Sequence, residues 1–431
     1  MIKKSHGCLL IFTALALLPL ELKSENISGG HNPDSLSLSW YLKIAAESNP
    51  ELKAAFHEWR AALEVVPQVK ALPDPQFSYS YFIQEVETRV GPQKQKFELS
   101  QRFPWFGKLR LKGGIAWQAA EVARQKYEAR KFKLFFEVKD AYYDYYFLGK
   151  AIQITHDNLE ILKQWEQVSR IRYASSVSKH HDIIKIQVEL GKLEDWLKTL
   201  ESKIFPVNVR LRSLLNLAAN EVLPFPADVE EDSLVVSEER LWEALLRNNP
   251  DLKALDHKVT QTGKKTALAK KNYFPNFMIG VTYVQTDETA MPDVMESGKD
   301  PLMVMGTINL PIHFIKNRAS VKQAGALEKQ AGNMKTGLEN KLRADLANVI
   351  FLCNDAHRKI NLYEHTLIPK GEQALKAVET AFKSGNADFI DLIDAQRTLL
   401  DFELEYERAL AMRAQRTAQL EMIIGKDIEN E

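Results

Sequence analysis

The sequence predicts a mainly α-helical protein with membrane β-strands, built from two copies of one unit. Three observations lead to this fold class: an internal repeat, long proline-free segments of helix-forming residues, and four short segments of alternating apolar and polar residues. Asn49-Pro50 returns as Asn249-Pro250, and Phe103-Pro104 returns as Leu310-Pro311. Similarity at this distance indicates one structural unit used twice.

The N-terminus has the pattern of a secretory signal peptide. Lys3 and Lys4 precede an apolar stretch from Cys8 to Leu20, and polar residues follow. We therefore expect a signal peptide over residues 1–24, the alternative being a buried N-terminal helix. After cleavage Cys353 is the one remaining cysteine, so no internal disulfide is expected.

Composition narrows the function. Lys plus Arg and Asp plus Glu both number 57, so no net charge draws the chain to nucleic acid.

The repeat predicts two interleaved halves, at residues 36–220 and 237–426. Beyond the signal peptide, no run of 18 apolar residues predicts a transmembrane helix. No nucleophile–base pair, phosphate loop or metal-ligand spacing stands out, so we expect neither an enzyme nor a cofactor.

The first half predicts a very long helix from Gly107 to about Arg172, roughly 100 Å at ~1.5 Å per residue. The segment after it carries an apolar seam typical of coiled-coil packing, with steps of three and four residues. Its members are Ile183, Ile186, Leu190, Leu193, Leu197, Leu200, Ile204, Val207, Leu211 and Leu214. Pro206 within it predicts a kink or break.

The second half repeats this design. We expect a helix from Asn317 to about Leu367, a kink at Pro369, and a helix again to about Lys383. A looser apolar seam follows, at Phe389, Leu392, Leu399, Tyr406 and Leu410. The helices alone are equally compatible with an isolated antiparallel coiled coil.

Four segments with a period of two predict strands, near residues 76–81, 96–101, 276–283 and 303–310. Each runs for roughly ten residues, the length of a tilted membrane strand. Four strands cannot enclose a channel, and an open sheet edge is not tolerated in lipid. Three chains would supply twelve strands and close the barrel. The alternative is a small soluble β-domain on a secreted coiled-coil scaffold.

Prolines mark the changes between helix and strand at matching places in both halves. Proline ends helical hydrogen bonding, and glycine gives the chain conformational freedom. We therefore predict a hinge between strands and helices at Pro75, Pro104, Gly107, Pro275 and Pro311.

These motifs together resemble the TolC-like outer membrane efflux proteins over the whole mature chain. The resemblance rests on the two Asn-Pro pairs, on Phe103-Pro104-Trp105-Phe106-Gly107-Lys108, and on Phe382-Lys383-Ser384-Gly385 with Asp391 and Asp394 after it. Phe-Pro-Trp-Phe-Gly-Lys looks most like the cobalt-zinc-cadmium efflux branch.

The resemblance implies a homotrimer with a twelve-stranded barrel in outer membrane lipid and a long α-helical barrel in the periplasm. The helical tips would dock a periplasmic adaptor (membrane fusion) protein, which links the channel to an inner-membrane pump, expected to be of the RND type. The chain would be the exit duct of that system and would carry out no chemistry. Metal, drug and protein export all remain open as its substrate class.

The two helical turns are the expected adaptor-docking tips. Their residues are Tyr173, Ser176 and Asp182 in the first half and Phe382, Gly385 and Asp388 in the second. Turn chemistry alone would account for them, with the two aspartates as candidate helix caps.

Asp391 and Asp394 are three residues apart and share one helix face. Spacing alone favours a solvated face, but the resemblance places this pair at the narrow periplasmic entrance. Six carboxylates from three chains would attract cations there. Related proteins can latch this entrance with an arginine that pairs with an acid at the Asp182 position. Here Ala387 occupies the arginine position, so that latch is not expected.

Two metal-binding candidates are weak. Adjacent histidines such as His180 and His181 point in different directions on a helix, so a shared ion is not expected. Methionines can ligate a soft metal such as Cu(I). The methionines in question are Met291, Met295, Met303 and Met305, and ordinary strand and loop roles are the simpler interpretation for them.

Overall fold

The structure is a computed structural model that describes residues 37–175, 180–218, 223–226, 237–384 and 386–428. The first half contains α1 (Leu38–Ser48), α2 (Pro50–Lys70), β1 (Gln76–Val86), β2 (Gln93–Phe103), α3 (Lys108–Ala174) and α4 (His180–Leu215). The second half contains α5 (Glu238–Asn248), α6 (Pro250–Lys271), β3 (Phe277–Thr286), β4 (Leu302–Ile308), α7 (Phe314–Leu362), α8 (Ile368–Lys383) and α9 (Phe389–Ile424). A π-helical segment, Tyr363–Leu367, joins α7 to α8.

The asparagines of the repeated Asn-Pro pairs make equivalent hydrogen bonds in both halves. The side-chain oxygen of Asn49 caps α2 by accepting from the backbone N–H of Leu52 at 3.0 Å, and its amide donates to the Leu214 carbonyl at 3.0 Å. Asn249 caps α6 in the same way, and its amide donates to the Ile423 carbonyl at 2.7 Å. Each buried asparagine therefore ties the start of one helix to the end of the last helix in its half.

The long helices largely follow the prediction. α3 is continuous over 67 residues. Of the kink or break expected at Pro206, the break is wrong, because α4 continues through this position. Pro206 lies on the exposed side, while Leu200 and Leu211 are buried on the other side of the helix. Their packing keeps the helix intact where the missing N–H costs one hydrogen bond.

The interruption in the second half differs from the predicted kink. The α-helix ends at Leu362 rather than Leu367, and the π-helical segment takes up the shift in hydrogen-bond register. Pro369 then lies in the first turn of α8, where its missing N–H leaves no donor unpaired.

The strands form one antiparallel sheet in the order β1-β2-β3-β4. β1, β2 and β3 have 11, 11 and 10 residues, as expected, but β4 has 7, because pairing ends at Ile308 rather than Leu310. Within the described residues, no helix is both long enough and apolar enough to cross a membrane.

Apolar side chains are buried along the helices in separate clusters. One joins α1, α3 and α4 around Tyr41, Tyr145 and Leu211. A second joins α5, α6, α7 and α9 around Leu245 and Leu346. A third, near the helical tips, packs α3 and α4 against α9 around Ile186 and Leu392.

Candidate functional site

The sheet has one apolar face that is exposed in the protomer. Cross-strand pairing places Phe77 opposite Leu99, Leu99 opposite Val281, and Val281 opposite Val304. Directly paired residues project from the same side of a sheet. The exposed apolar residues of this face are Phe77, Tyr79, Tyr81, Leu99, Ile279, Val281, Tyr283, Leu302, Val304 and Ile308. The predicted alternation thus gives one continuous apolar surface.

The opposite face is mainly polar. One row across it is Ser78, Glu98, Thr282 and Met303, and the next is Gln76, Ser100, Gly280 and Met305. An apolar face turned outward and a polar face turned inward is the pattern of a membrane barrel wall. In the part of the chain that the structure describes, β1 and β4 each pair with one strand only, so the sheet has two open edges.

The predicted hinge residues lie where strands meet helices. Pro75 directly precedes β1, and Pro275 lies two residues before the start of β3. Pro104 and Pro311 follow the ends of β2 and β4. Gly107 caps α3 with a φ of 82°, a left-handed conformation that favours glycine. Movement at these positions stays a prediction.

A partly buried hydrogen-bond network crosses this junction between the two halves. The side-chain oxygen of Asn276 accepts from the backbone N–H of Trp105 at 3.1 Å and from the Lys108 ammonium at 2.9 Å. Lys108 also donates to the Phe274 carbonyl at 3.2 Å. Lys108 is 7% exposed. Burial and the neighbouring charge of Lys112 lower the pKa of Lys108. The charged form of Lys108 therefore depends on the two oxygen atoms that accept its hydrogen bonds.

Aromatic rings surround that network. Trp105 stacks on Phe274 and on Phe277, with ring centroids 5.2 and 5.4 Å apart. Within Phe-Pro-Trp-Phe-Gly-Lys the sequence predicts a hinge at Pro104 and Gly107, but it does not predict the role of Asn276. The sequence does mark the position of Asn276, because Pro275-Asn276-Phe277 repeats Pro75-Gln76-Phe77. No local pattern, however, links Asn276 to Lys108, which lies 168 positions away.

The helical tips of the two halves contact each other. The guanidinium of Arg172, at the end of α3, lies 4.3 Å from the ring centroid of Phe382 and donates to the Phe382 carbonyl at 3.2 Å. Phe382 in turn meets Phe389 with centroids 5.3 Å apart. Tyr173 is exposed and meets His180 at 5.4 Å. Sequence reasoning missed Arg172, which carries no repeat signal.

Of the two aspartates predicted to cap helices at the tips, one does so and the other does not. Asp388 is the N-cap of α9, as expected. Asp182 is not the cap of α4 but lies in its first turn, where an acid still interacts favourably with the helix dipole. Ser176 and Gly385 lie outside the described residues.

Asp391 and Asp394 lie side by side on the exposed face of α9, with Leu392 and Ile393 buried behind them. The Asp391 carboxylate accepts from the backbone N–H of Asp388 at 3.2 Å, as part of a capping box. The Asp394 carboxylate lies 3.3 Å from Arg397. Both acids are therefore engaged within their own helix, and both remain open to solvent.

The two adjacent histidines have different neighbours. His181 lies 3.2 Å from Asp182, whereas His180 contacts the ring of Tyr173. Over the described ranges, no group of three or more His, Cys, Asp or Glu side chains is arranged to hold a metal ion.

A model of the outer membrane efflux protein family matches residues 41–216 and 241–426. The chain belongs to this family. The cobalt-zinc-cadmium resistance protein CzcC of Cupriavidus metallidurans is 19% identical over 391 residues, which cover 91% of this chain and 90% of CzcC. The matched ranges are the two halves of the repeat.

Solved structures of membrane channels share the fold. CusC superposes with a TM-score of 0.78 at 14% identity, covering 93% of this chain and 95% of CusC. The outer-membrane channel OprN superposes with a TM-score of 0.77 at 17% identity, covering 90% of this chain and 89% of OprN. This efflux protein thus has the TolC-like fold, with two family repeats, long helices and a small antiparallel sheet.

Proposed function

We propose that three copies of this chain form the outer membrane exit channel of a tripartite efflux system. The observation that carries this proposal is the sheet, with an exposed apolar face flanked by the open edges of β1 and β4. In lipid every backbone polar group must be paired, so the edges require partner strands. Four strands from each of three chains close a twelve-stranded barrel with its apolar face outward.

The internal repeat supports one specific pairing between neighbouring chains. Within one chain, β2 pairs with β3 through Phe103 opposite Phe277 and Gln101 opposite Ile279. In the repeat, β4 corresponds to β2 and β1 corresponds to β3. The equivalent contact across the subunit boundary therefore joins β4 of one chain to β1 of the next.

The same correspondence gives the register. Leu310 corresponds to Phe103 and Phe77 to Phe277, so Leu310 should lie opposite Phe77 of the neighbouring subunit. Ile308 then lies opposite Tyr79. Gly306 lies opposite Tyr81, whose ring can cover the space that the glycine leaves open. An added Cβ at Gly306 meets nothing within 4 Å in the isolated chain.

The helices continue the duct into the periplasm, and we propose that their tips dock an adaptor that connects it to an inner-membrane pump. The contact between Arg172 and Phe382 supports one shared docking surface, because it joins the tips of both halves. The likeness to CzcC supports metal cations as the substrate class. The chain itself supplies a passage and no chemistry, in keeping with a family of channels.

Fractionation of cells that express the full chain tests the proposal. We expect the protein in the outer membrane fraction, as a trimer that dissociates on heating in SDS and conducts ions in planar lipid bilayers. A soluble periplasmic monomer would reject the channel and favour a coiled-coil scaffold with a soluble β-domain.

A further inference from the structure

Basic side chains are concentrated where the helices meet the sheet. The segments that join the strands to the adjoining helices and extend about 15 Å into each helix, at ~1.5 Å per residue, are residues 60–75, 104–118, 261–276 and 309–324. Together they contain twelve Lys or Arg residues and two acids, Glu64 and Asp74. The whole chain has 57 residues of each sign, so this excess of positive charge is local.

Three of these cations line one pocket over the start of α3, which packs between α2 and α6. Its volume is about 280 Å³, and its lining includes Lys70 of α2, Arg110, Gly113, Gly114 and Trp117 of α3, and Lys264 of α6. None of the residues that line it is acidic. Within the described part of the chain, none of the three cations has a carboxylate partner, so their charge is left for a ligand.

Two glycines allow the lysine side chains to lie across α3. A Cβ on Gly113 would lie 2.6 Å from Cγ and Cε of Lys70, so any other residue at this position would collide with that side chain. A Cβ on Gly114 would lie 3.2 Å from Cδ of Lys264, which is also too close for an ordinary contact. The two lysines therefore approach α3 from opposite sides and line the pocket beside Arg110.

The contact between Lys264 and Gly114 recurs one heptad closer to the sheet. Lys271 follows Lys264 by seven residues on α6, and Gly107 precedes Gly114 by seven residues on α3, so each pair shares one helix face. Cε and Nζ of Lys271 lie 3.6 Å from the place that a Cβ on Gly107 would occupy. Two lysines of α6 thus cross α3 over two glycines, in a line that leads to the sheet.

That line ends at the apolar face of the sheet. Nζ of Lys271 lies 5.8 Å from the ring centroid of Phe274. Phe274 and Phe277 both stack on Trp105, and Phe277 is directly opposite Ile308, a member of the apolar face. The pocket and the apolar face therefore lie on the same side of the subunit.

This surface has the composition of a protein wall in a lipid headgroup layer. Phe106 is 77% exposed at the junction, and Trp117 is 48% exposed in the pocket. Exposed aromatic residues are typical of the boundary between membrane and water. Basic residues beside a membrane attract anionic lipids, and a guanidinium can donate two hydrogen bonds to one phosphate. Pockets for drug-sized ligands have about 300–1,000 Å³, so a pocket of 280 Å³ suits a headgroup rather than an acyl chain.

We propose that Lys70, Arg110 and Lys264 bind the phosphate of an anionic phospholipid such as phosphatidylglycerol, in the leaflet next to the helices. The inference rests on the proposed function, because the trimeric barrel is what brings the pocket to the headgroup layer. Each subunit holds a complete pocket, since α2, α3 and α6 belong to one chain. Three bound lipids per trimer would fix the depth of the barrel in the membrane.

Native mass spectrometry of the full-length protein, released from detergent with added lipid, tests the pocket. We expect up to three phosphatidylglycerol molecules per trimer, bound at least tenfold more tightly than phosphatidylcholine. Lys70→Gln with Arg110→Gln and Lys264→Gln removes the three charges and keeps polar side chains. Its affinity for phosphatidylglycerol should fall at least tenfold, because each Lys or Arg near an anionic surface contributes roughly fivefold.

The matched control removes the same charge from the same level of the protein. Lys316→Gln with Arg318→Gln and Lys322→Gln changes three cations of α7 that do not line the pocket, and it should bind phosphatidylglycerol as the wild type does. Equal losses in the two triple variants would overturn the inference, because a diffuse positive surface would then explain the binding. The lipid preference of the wild type needs no variant, and equal affinity for both lipids would overturn it as well.

Two further arms separate the remaining sources of failure. Inorganic phosphate at the lipid's concentration should not displace phosphatidylglycerol, and displacement would assign the pocket to soluble anions instead. Conductance of the same preparation separates the two proposals. A conducting trimer without preference for phosphatidylglycerol refutes this site alone, whereas a protein that forms neither trimer nor channel refutes the proposed function.

Discussion

Replacing Asn276 with alanine tests whether buried hydrogen bonds hold the junction between sheet and helices. The change removes the acceptor of the Trp105 N–H and one acceptor of the Lys108 ammonium, which is 7% exposed. A hydrogen bond to a charged group contributes about 1.5–3 kcal/mol, and a neutral one about 1 kcal/mol. We expect the variant to lose about 3 kcal/mol of unfolding free energy, mainly because a desolvated charge loses a partner.

Guanidinium chloride unfolding in detergent, followed by tryptophan fluorescence, measures this loss as a shift of the midpoint at constant slope. Gln76→Ala is the matched control. Gln76 is the repeat equivalent of Asn276, but its side chain is exposed, so its removal leaves no desolvated group without a partner. The control should therefore change stability by less than about 1 kcal/mol.

The double variant Asn276→Ala with Lys108→Met sharpens the interpretation. Removing both partners should cost less than the sum of the single changes, since no buried charge is left unsatisfied. Strictly additive losses, or equal losses for Asn276→Ala and Gln76→Ala, would refute the reasoning that the ammonium makes this contact strong.

Three further predictions concern the helices. Arg172→Ala removes the contact between the tips and should lower the unfolding free energy by about 1–2 kcal/mol, measured by the same denaturant unfolding. Arg170→Ala, whose side chain pairs with Glu166 of its own helix at 2.8 Å, should lower it by less than about 1 kcal/mol, and equal effects would exclude a specific tip contact. Asp391→Ala with Asp394→Ala should weaken divalent cation block in planar bilayers, and unchanged block would remove these acids from the entrance. Burial raises the pKa of Cys353 to about 11, so the folded protein should react with iodoacetamide at pH 8 about two orders of magnitude more slowly than the denatured chain. Equal rates would place that thiol in solvent.

Local patterns predicted much of this fold, because they report directly on one element. Alternation in β1 and β3 predicted which side chains share a face, and the repeat of Asn49-Pro50 as Asn249-Pro250 predicted two equivalent units. The continuous helix at Pro206 was not predictable from the proline, because packing of the buried face outweighs one lost hydrogen bond.

The contacts of the candidate site were harder to predict from the sequence than the fold. The contacts of Lys108 with Asn276 and of Arg172 with Phe382 join residues 168 and 210 positions apart. Periodicity describes one face of one helix or strand and carries no information on which distant element will cover it. Asp391 shows a related problem, because its side chain takes part in a local capping box and is also proposed to line a gate. The spacing of residues in the sequence does not distinguish these two roles.

Disulfide cross-linking across the subunit boundary tests the central claim most directly. In a Cys353→Ala background, Tyr79→Cys combined with Ile308→Cys places two thiols at directly paired positions, where Cα atoms are about 4.5–5.5 Å apart and a disulfide can form. Oxidation of isolated outer membranes should then give covalent dimers and trimers. Ile83→Cys with Ile308→Cys is shifted by four residues, roughly 14 Å along the strand, and should stay monomeric under denaturing conditions. Monomers from the first pair, or equal cross-linking of both pairs, would contradict a barrel closed by β4 of one chain and β1 of the next.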